Sequence, residues 1–326
     1  MKIAVIGAGL AGLTLAQKLK SSSDVTVFEK SLGLGGRMSN RRSGDHHFDH
    51  GAQYFTIQNN GFREDIKPFF ENGTIVRWSP RVVKIASDGG IQNECWTADR
   101  YVAQPGMNAL AKQMAARSEI RIERATRIAA LVREGDAWRL LSEDGRGWGT
   151  YDWVISTAPA EQTARLFPDT FAAAEALHSA SMSGCYTLML GGIDVPDLGW
   201  DVAIVDDGPL AWIARNHTKP GRPSVPALLV QAQNDWSEAK MDADQMWVTE
   251  TMAQELSRIT GVQADTAAYS SLHRWRFAKV SHAADQPFLI DGSQRLAAAG
   301  DWCSSGRVEA AWESADALSK RLQGVI

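Results

Sequence analysis

Cysteine is scarce in this chain. Cys95, Cys185 and Cys303 stand far apart, are odd in number and form no CxxC pair, which argues against a disulfide framework and a zinc site and leaves reduced thiols in packing roles as the expectation. No apolar run approaches the length of a membrane span, so no membrane partner is expected. Positive charge is not in excess either: 34 Lys and Arg face 38 Asp and Glu, for a net charge of -4 and a pI near 6.0. No basic field exists to hold nucleic acid. Internal repeats and low-complexity tracts are absent as well. A strand expected from residue 2 leaves no room for a signal peptide, and a cytoplasmic enzyme is the expected setting. What remains is a chain of 326 residues, 44% hydrophobic and 22% charged, which suits a large core and two domains. Its twelve tryptophans are expected mainly in that core, although they could also wall a planar ligand.

The informative stretch comes first. Lys2-Ile3-Ala4-Val5-Ile6 is an apolar run of strand type, followed by Gly7-Ala8-Gly9-Leu10-Ala11-Gly12 and a helical pattern through Lys20. In such a strand, turn and helix, Gly7 makes the tight turn, Gly9 lets a pyrophosphate approach the backbone, and Gly12 lets helix and strand pack closely. The first helical turn offers free N–H groups to phosphates. A second strand, Val25 to Phe28, ends at Glu29, whose carboxylate is placed to accept hydrogen bonds from a ribose. These features together predict an adenine dinucleotide site.

Further along, Gly33-Leu34-Gly35-Gly36-Arg37-Met38 forms a second glycine-rich turn, short enough to lie against the same diphosphate, with Arg37 as its phosphate ligand. Asp45-His46-His47-Phe48-Asp49-His50 has metal-ligand residue types but no spacing that aims them at one centre, so no metal is expected. Asp49 to Phe55 reads as a turn into a strand that carries polar and aromatic groups toward the ligand. Phe62, Ile66, Phe69 and Phe70 mark a helix, and Arg77 to Ile85 reads as one strand. Pro105-Gly106-Met107 opens another helix, and Trp153 to Ser156 is a buried strand that can return to the central sheet. Beyond residue 160 the pattern becomes antiparallel: Tyr186 to Leu190, Trp212 to Ala214 and Leu228 to Ala232, with a helix from Met246 to Ile259. The chain closes as it began, with a strand at Leu296 to Ala299, a turn at Gly300-Asp301-Trp302 and a helix with Val308, Ala311, Trp312, Ala315, Leu318 and Leu322 on its buried side.

Three motifs are then in hand: the opening glycines; Gly35-Gly36-Arg37-Met38 with Asp49-x-Gly51-Ala52-Gln53-Tyr54-Phe55; and Gly300-Asp301-Trp302-Cys303-x-Ser305-Gly306-Arg307-Val308-Glu309-x-Ala311-Trp312. Together they resemble the renalase family, particularly its bacterial members, within the wider group of flavin amine oxidase-like proteins. Gln104-Pro105-Gly106-Met107, Thr157-Ala158-Pro159, Trp212-Ile213-Ala214-Arg215-Asn216 and His273-Arg274-Trp275 extend the resemblance from end to end. It implies an α/β fold with a Rossmann-type FAD-binding domain of p-hydroxybenzoate hydroxylase type, built from residues 1–60, 103–160 and 285–326. A second α+β substrate domain on an antiparallel sheet would take residues 61–102 and 161–284.

The resemblance also implies non-covalent FAD. Gly7, Gly9, Ala11 and Gly12 would hold its pyrophosphate, Glu29 and Lys30 its adenosine end, and Gly36 and Arg37 the phosphates. Ile128 would meet the adenine through its backbone, and Gly300 and Asp301 the ribityl-diphosphate region, although Asp301 could equally cap a helix. The helix beginning near Arg307 and Val308 would aim its N-terminal amides at the flavin. Ser183-Gly184-Cys185-Tyr186 looks like a covalent flavin tether but lies inside a predicted strand far upstream of Gly300, and is read as coincidence.

As to chemistry, the resemblance implies an oxidase acting on the 2- and 6-dihydro isomers of NAD(P)H. Hydride passes to flavin N5, β-NAD(P)+ leaves, and dioxygen is reduced to hydrogen peroxide. Restoring an aromatic pyridinium drives hydride loss and no proton leaves carbon, so no general base is nominated. The expected pocket residues are Gln53, Tyr54, Trp212, Asn216, His273 and Trp275: rings to stack a nicotinamide, with Asn216 or His273 bonding its carboxamide. Each of these also fits ordinary packing. Two rivals share the fingerprint: an amine oxidase, and a non-catalytic FAD-binding or redox-sensing module.

Overall fold

The computed structural model describes residues 1–325. Its organising element is a six-stranded sheet in the order Leu289–Asp291, Leu296–Ala298, Trp153–Ser156, Lys2–Ile6, Asp24–Phe28 and Arg121–Glu123. Neighbouring strands run parallel except at the Leu289–Asp291 edge. Ile3, Ala4 and Val5 are completely buried, which explains why the opening run is apolar without alternation: a parallel sheet is covered on both faces. One face, with Ile3, Val5, Val25 and Val27, packs on helices Leu10–Leu19 and Val308–Gln323, which lie together. Each fully buried leucine there, Leu13, Leu15 and Leu19 among them, contributes ~1.5–3 kcal/mol. The other face, with Ala4, Phe28 and Val154, is covered by Trp138, Leu140 and Tyr151 of a three-stranded meander spanning Ile128–Glu134, Ala137–Ser142 and Gly147–Tyr151.

A second sheet of seven strands runs in the order Tyr269–His282, Ser181–Gly191, Ala227–Ala232, Leu210–Arg215, Val202–Val205, Val82–Ile85 and Ile91–Glu94. It is antiparallel but for one parallel pair, Val202–Val205 with Val82–Ile85. Helix Gln245–Thr260 backs it with Val248, Met252 and Leu256. That helix starts where the Asp244 carboxylate accepts the Met246 and Trp247 amides, and it stops at Gly261, whose φ of 74° suits only the left-handed cap. The opposite face carries a row in register across four strands: Trp212, Gln231, Thr187 and His273. The molecule is thus a mixed α/β protein with a Rossmann-like domain and a second, sheet-based domain. Among the described residues no helix is long and apolar enough to cross a membrane.

Several local expectations change. Arg77 to Ile85 is not one strand: Pro80 lacks an amide and restricts Ser79 before it, so the run breaks. Ile75–Trp78 pairs with Arg100–Ala103, while Val82–Ile85 joins the seven-stranded sheet. The segment after Asp49 reaches strand geometry only at Phe55, in a single bridge to Tyr101. The helix expected from Met107 begins at Ala109. Cys185 and Cys303 are buried, whereas Cys95 is exposed and has no packing role.

Candidate functional site

The first glycine turn has the shape of a cradle. Gly7 adopts a φ of 109°, a conformation that side chains disfavour. A Cβ on Gly12 would lie 1.9 Å from the Gly7 carbonyl oxygen, so only glycine lets the helix sit this close to the turn. A Cβ on Gly9 would meet nothing within 4 Å: its outward side is open. The helix behind it has no side-chain cap and no acidic residue in its first turn, which leaves its leading amides for an anion. Ala11 is buried within that helix. At the end of the second strand Glu29 is oriented by two backbone amides, Ala8 N–H at 2.9 Å and Ser31 N–H at 2.8 Å, and its carboxylate keeps lone pairs for ribose hydroxyls. Ile128 is brought near by the bond from Thr126 N–H to the Glu29 carbonyl at 2.9 Å. Lys30 turns to the Gln162 amide oxygen at 3.3 Å.

The second glycine turn lies directly on the first. Gly35 N–H donates to the Ala8 carbonyl at 2.9 Å, and a Cβ on Gly36 would stand 3.5 Å from the Gly9 Cα. Arg37 and Asp301, 264 residues apart in the chain, meet in a bidentate pair, with Arg37 NH1 to Asp301 Oδ2 at 2.7 Å. Asp301 therefore does not cap the closing helix, whose N-terminus at Arg307 and Val308 has no side-chain cap. Arg307 itself bonds to Gln58 Oε1 at 3.1 Å, and Gly300 N–H bonds to Ser314 Oγ at 3.0 Å. Open backbone at Gly9, two uncapped helix N-termini and a strand-end carboxylate fit a flavin adenine dinucleotide, while the terminal nitrogens of Arg37 are held by Asp301 and the Ala278 carbonyl.

The turn after Arg37 is seated on the second sheet. Trp275 Nε1–H donates to the His50 carbonyl at 2.8 Å, and the Gln231 amide donates to the Gly51 carbonyl at 2.9 Å. Gly51 is tight enough that a Cβ would lie 1.9 Å from the Arg37 carbonyl oxygen. Beneath it lies a feature that the sequence alone does not reveal. Asp49, Lys219 and Arg222 side chains are fully buried together, with Arg222 NH2 2.6 Å and Lys219 Nζ 3.3 Å from Asp49 Oδ2. Asn40 and the Met107 amide bond to the other carboxylate oxygen at 3.0 and 2.9 Å. Burial pushes the Asp49 carboxyl up, but Lys219, Arg222 and the Met107 amide outweigh it and hold it down at about 2.

This hub corrects two expectations. Gln53 bonds to the Asp49 and Gly51 carbonyls and accepts from Lys219 Nζ at 3.0 Å, and Asn216 is fully buried, donating to the His47 carbonyl at 2.7 Å. Both amides brace the hub rather than face a pocket. Asp49 likewise turns inward rather than toward a ligand.

The other four expected pocket residues fall into two groups on the same sheet face. Trp275 stacks on His50 at 5.3 Å, with His273 edge-on to both. Burial, then His273 and Arg41, push the His50 imidazole down to about 4; burial, then Arg41, do the same to His273. Arg41 donates to Ser271 Oγ at 2.9 Å, two residues from His273. At the far end of the row, Tyr54 and Trp212 join Trp78 and Trp96, two rings that no sequence motif singles out. His46, His47 and His50 do not converge, and among the described residues no group of three or more His, Cys, Asp or Glu could hold a metal ion. Cys185 lies within its strand with Sγ on the Ala232 carbonyl, and burial raises its thiol to about 12.

Comparison with known proteins agrees with this geometry. Residues 5–71 match the family model of an NAD(P)-binding Rossmann-like domain, and residues 85–322 match that of flavin containing amine oxidoreductases. Over 52 residues the chain is 48% identical to a 4,4'-diapophytoene desaturase of Staphylococcus aureus (strain bovine RF122 / ET3-1), a match that spans 16% of this chain and 10% of the desaturase. Its fold follows that of a protein assigned as a protoporphyrinogen oxidase from Exiguobacterium sp. 255-15, with a TM-score of 0.81 at 11% identity over 100% of this chain and 99% of that one. A putrescine oxidase double mutant gives a TM-score of 0.72 at 10% identity over 99% of each chain. A CLA-producing fatty acid isomerase from P. acnes gives 0.75 at 13% identity over 98% of each. The second family model covers well over half of the sequence: the chain belongs to the flavin containing amine oxidoreductase family, with FAD as the cofactor.

Proposed function

We propose that this protein is a renalase-type oxidase that converts 2- and 6-dihydro isomers of NAD(P)H to β-NAD(P)+. Bound FAD supplies the two-electron acceptor, from which dioxygen takes the electrons as hydrogen peroxide. The observation that carries the reading is the charge of the sheet face beside the Arg37 turn. Trp212, Gln231, Thr187, His273, Cys185 and Trp275 include no carboxylate, both nearby imidazoles are held neutral at pH 7, and the cation beside those imidazoles, Arg41, bonds to a hydroxyl. An amine arrives as an ammonium ion, which needs a counter-charge and a base to unload its proton. This face offers neither, and Arg41 repels it. A dihydronicotinamide is uncharged at the reacting ring and carries its negative charge on phosphates, which suits the same surroundings.

The work left to the side chains is placement. Trp275, stacked over the buried His50, and the edge-on His273 provide an aromatic wall for the ring, and a neutral imidazole has one donor and one acceptor for its carboxamide. No proton leaves carbon, so the lack of a strong base is consistent with the chemistry. Anaerobic titration of the flavin tests the reading: 6-dihydroNAD is expected to bleach it within one turnover, while a panel of amines that includes putrescine leaves it yellow. Bleaching by amines alone overturns the proposal in favour of an amine oxidase, and a flavin that no donor bleaches overturns it in favour of a binding module.

A further inference from the structure

We infer that the aromatic cluster at the far end of the row, Trp212 with Trp96, Tyr54 and Arg100, is the site that holds the adenylate half of the dinucleotide substrate; the inference rests on the function proposed above. Four rings meet there. Trp96 lies parallel to Trp212, 10° apart in plane and 6.2 Å between centroids, and Tyr54 touches Trp96, Trp212 and Trp78 at 5.2 to 6.3 Å. Trp96 comes from the connection between strands Ile91–Glu94 and Arg100–Ala103, so it covers Trp212 from a loop rather than from the sheet.

Two donors in this cluster have no acceptor. Trp212 Nε1–H and Arg100 Nε–H are both buried without a hydrogen-bond partner. A buried donor left unpaired is costly, and two in one cluster call for an explanation. The Arg100 guanidinium stands over the rings of Trp96 at 4.8 Å and Tyr54 at 5.1 Å. Its neighbour Asp99, the nearest carboxylate in the chain, is taken by Arg77 at 2.7 Å. The buried Lys219, paired with Asp49, lies over Trp78 at 5.1 Å. The matching ligand is a planar ring with acceptor nitrogens attached to a phosphate: adenine to accept from Trp212, phosphate to accept from Arg100.

The spacing agrees. Trp212 and His273 are separated by three interstrand steps, roughly 14 Å at the usual strand separation. An opened dinucleotide spans such a gap between its two bases, whereas a small amine does not.

The test compares β-NAD+ with nicotinamide riboside, which lacks phosphate and adenine, by calorimetric titration of the FAD-loaded protein. Arg100→Gln is expected to weaken NAD+ about tenfold while riboside affinity stays within about twofold, and Arg100→Lys to recover part of the loss. Trp96→Ala is expected to show the same selectivity. In turnover, Arg100→Gln raises KM for 6-dihydroNAD and leaves kcat unchanged. Unaltered NAD+ affinity in Arg100→Gln and Trp96→Ala overturns the inference, as does an equal loss for both ligands with the flavin still bound. Either result leaves the proposed function standing if 6-dihydroNAD still bleaches wild-type flavin; failure of that bleaching sinks the function itself.

Discussion

The two halves of the site solve the problem of binding in opposite ways. The cofactor cradle is made almost wholly of main chain: glycines at positions 7, 9, 12, 35 and 36, and amides at the start of two helices. The sheet face is made of side chains, large rings and imidazoles seated on a buried ionic hub. Main-chain binding constrains sequence locally, since a turn that must admit a phosphate permits few residues. Side-chain binding constrains it only through distant partners, so the same chemistry leaves a diffuse trace.

The largest effect is expected where the sheet half grips the turn. Asp49→Asn leaves Lys219 and Arg222 buried without their counter-ion and is expected to lower stability by about 3–5 kcal/mol in urea unfolding. An unchanged midpoint would mean that the hub is solvated and that the two halves do not differ in this way.

A pair of glycine substitutions sharpens the cradle side. Gly12→Ala drives a methyl group into the Gly7 carbonyl, 1.9 Å away, and is expected to lose both FAD binding and about 1–3 kcal/mol of stability. Gly9→Ala meets open space at a φ of -77° that alanine accepts, so its unfolding is expected to shift by less than ~0.5 kcal/mol. FAD affinity should nevertheless fall on the order of tenfold, because the methyl group occupies the diphosphate's approach. Absorbance of retained flavin separates the two.

A pH dependence sharpens the sheet side. His50 and His273 lie at about 4 in the fold, against the ordinary imidazole value of 6.5. As pH falls from 6.5 toward 4 the unfolded chain takes up protons that the folded one refuses. Their contribution is therefore intact above 6.5, shrinks through that window and levels off below it. Asp49 does not confuse the reading, because its contribution is lost only below the ordinary 3.8, as pH falls to about 2. Urea midpoints at about pH 7.5, 6 and 5 measure the slope, and a flat profile would show that both imidazoles titrate freely.

Legibility follows the same divide. The first strand occupies Lys2–Ile6 as expected, because an unbroken apolar run directly before a glycine turn admits few alternatives. Glu29 at the end of the second strand and Arg37 on the second glycine turn stand where their spacing from the glycines puts them. Trp96 and Arg100 are not: they lie in and beside an irregular loop with no periodicity, and become significant only when Trp212, more than a hundred residues later, stacks against them. Gln53 and Asn216 mislead for a related reason. A polar side chain near a ligand motif looks the same in sequence whether it faces the ligand or braces the wall, and only Lys219 and His47 decide which.

The Asp49 hub also bears on how the chain is made. Its carboxylate waits for partners 170 and 173 positions downstream. A nascent polypeptide that has not yet exposed Arg222 to solvent owns both glycine loops but not the clamp that seats them, so the nucleotide half cannot mature on its own as it leaves the ribosome. Synthesis runs from one end to the other, while completion of the cradle is deferred past Arg222 until Asp301 and the closing helix have emerged.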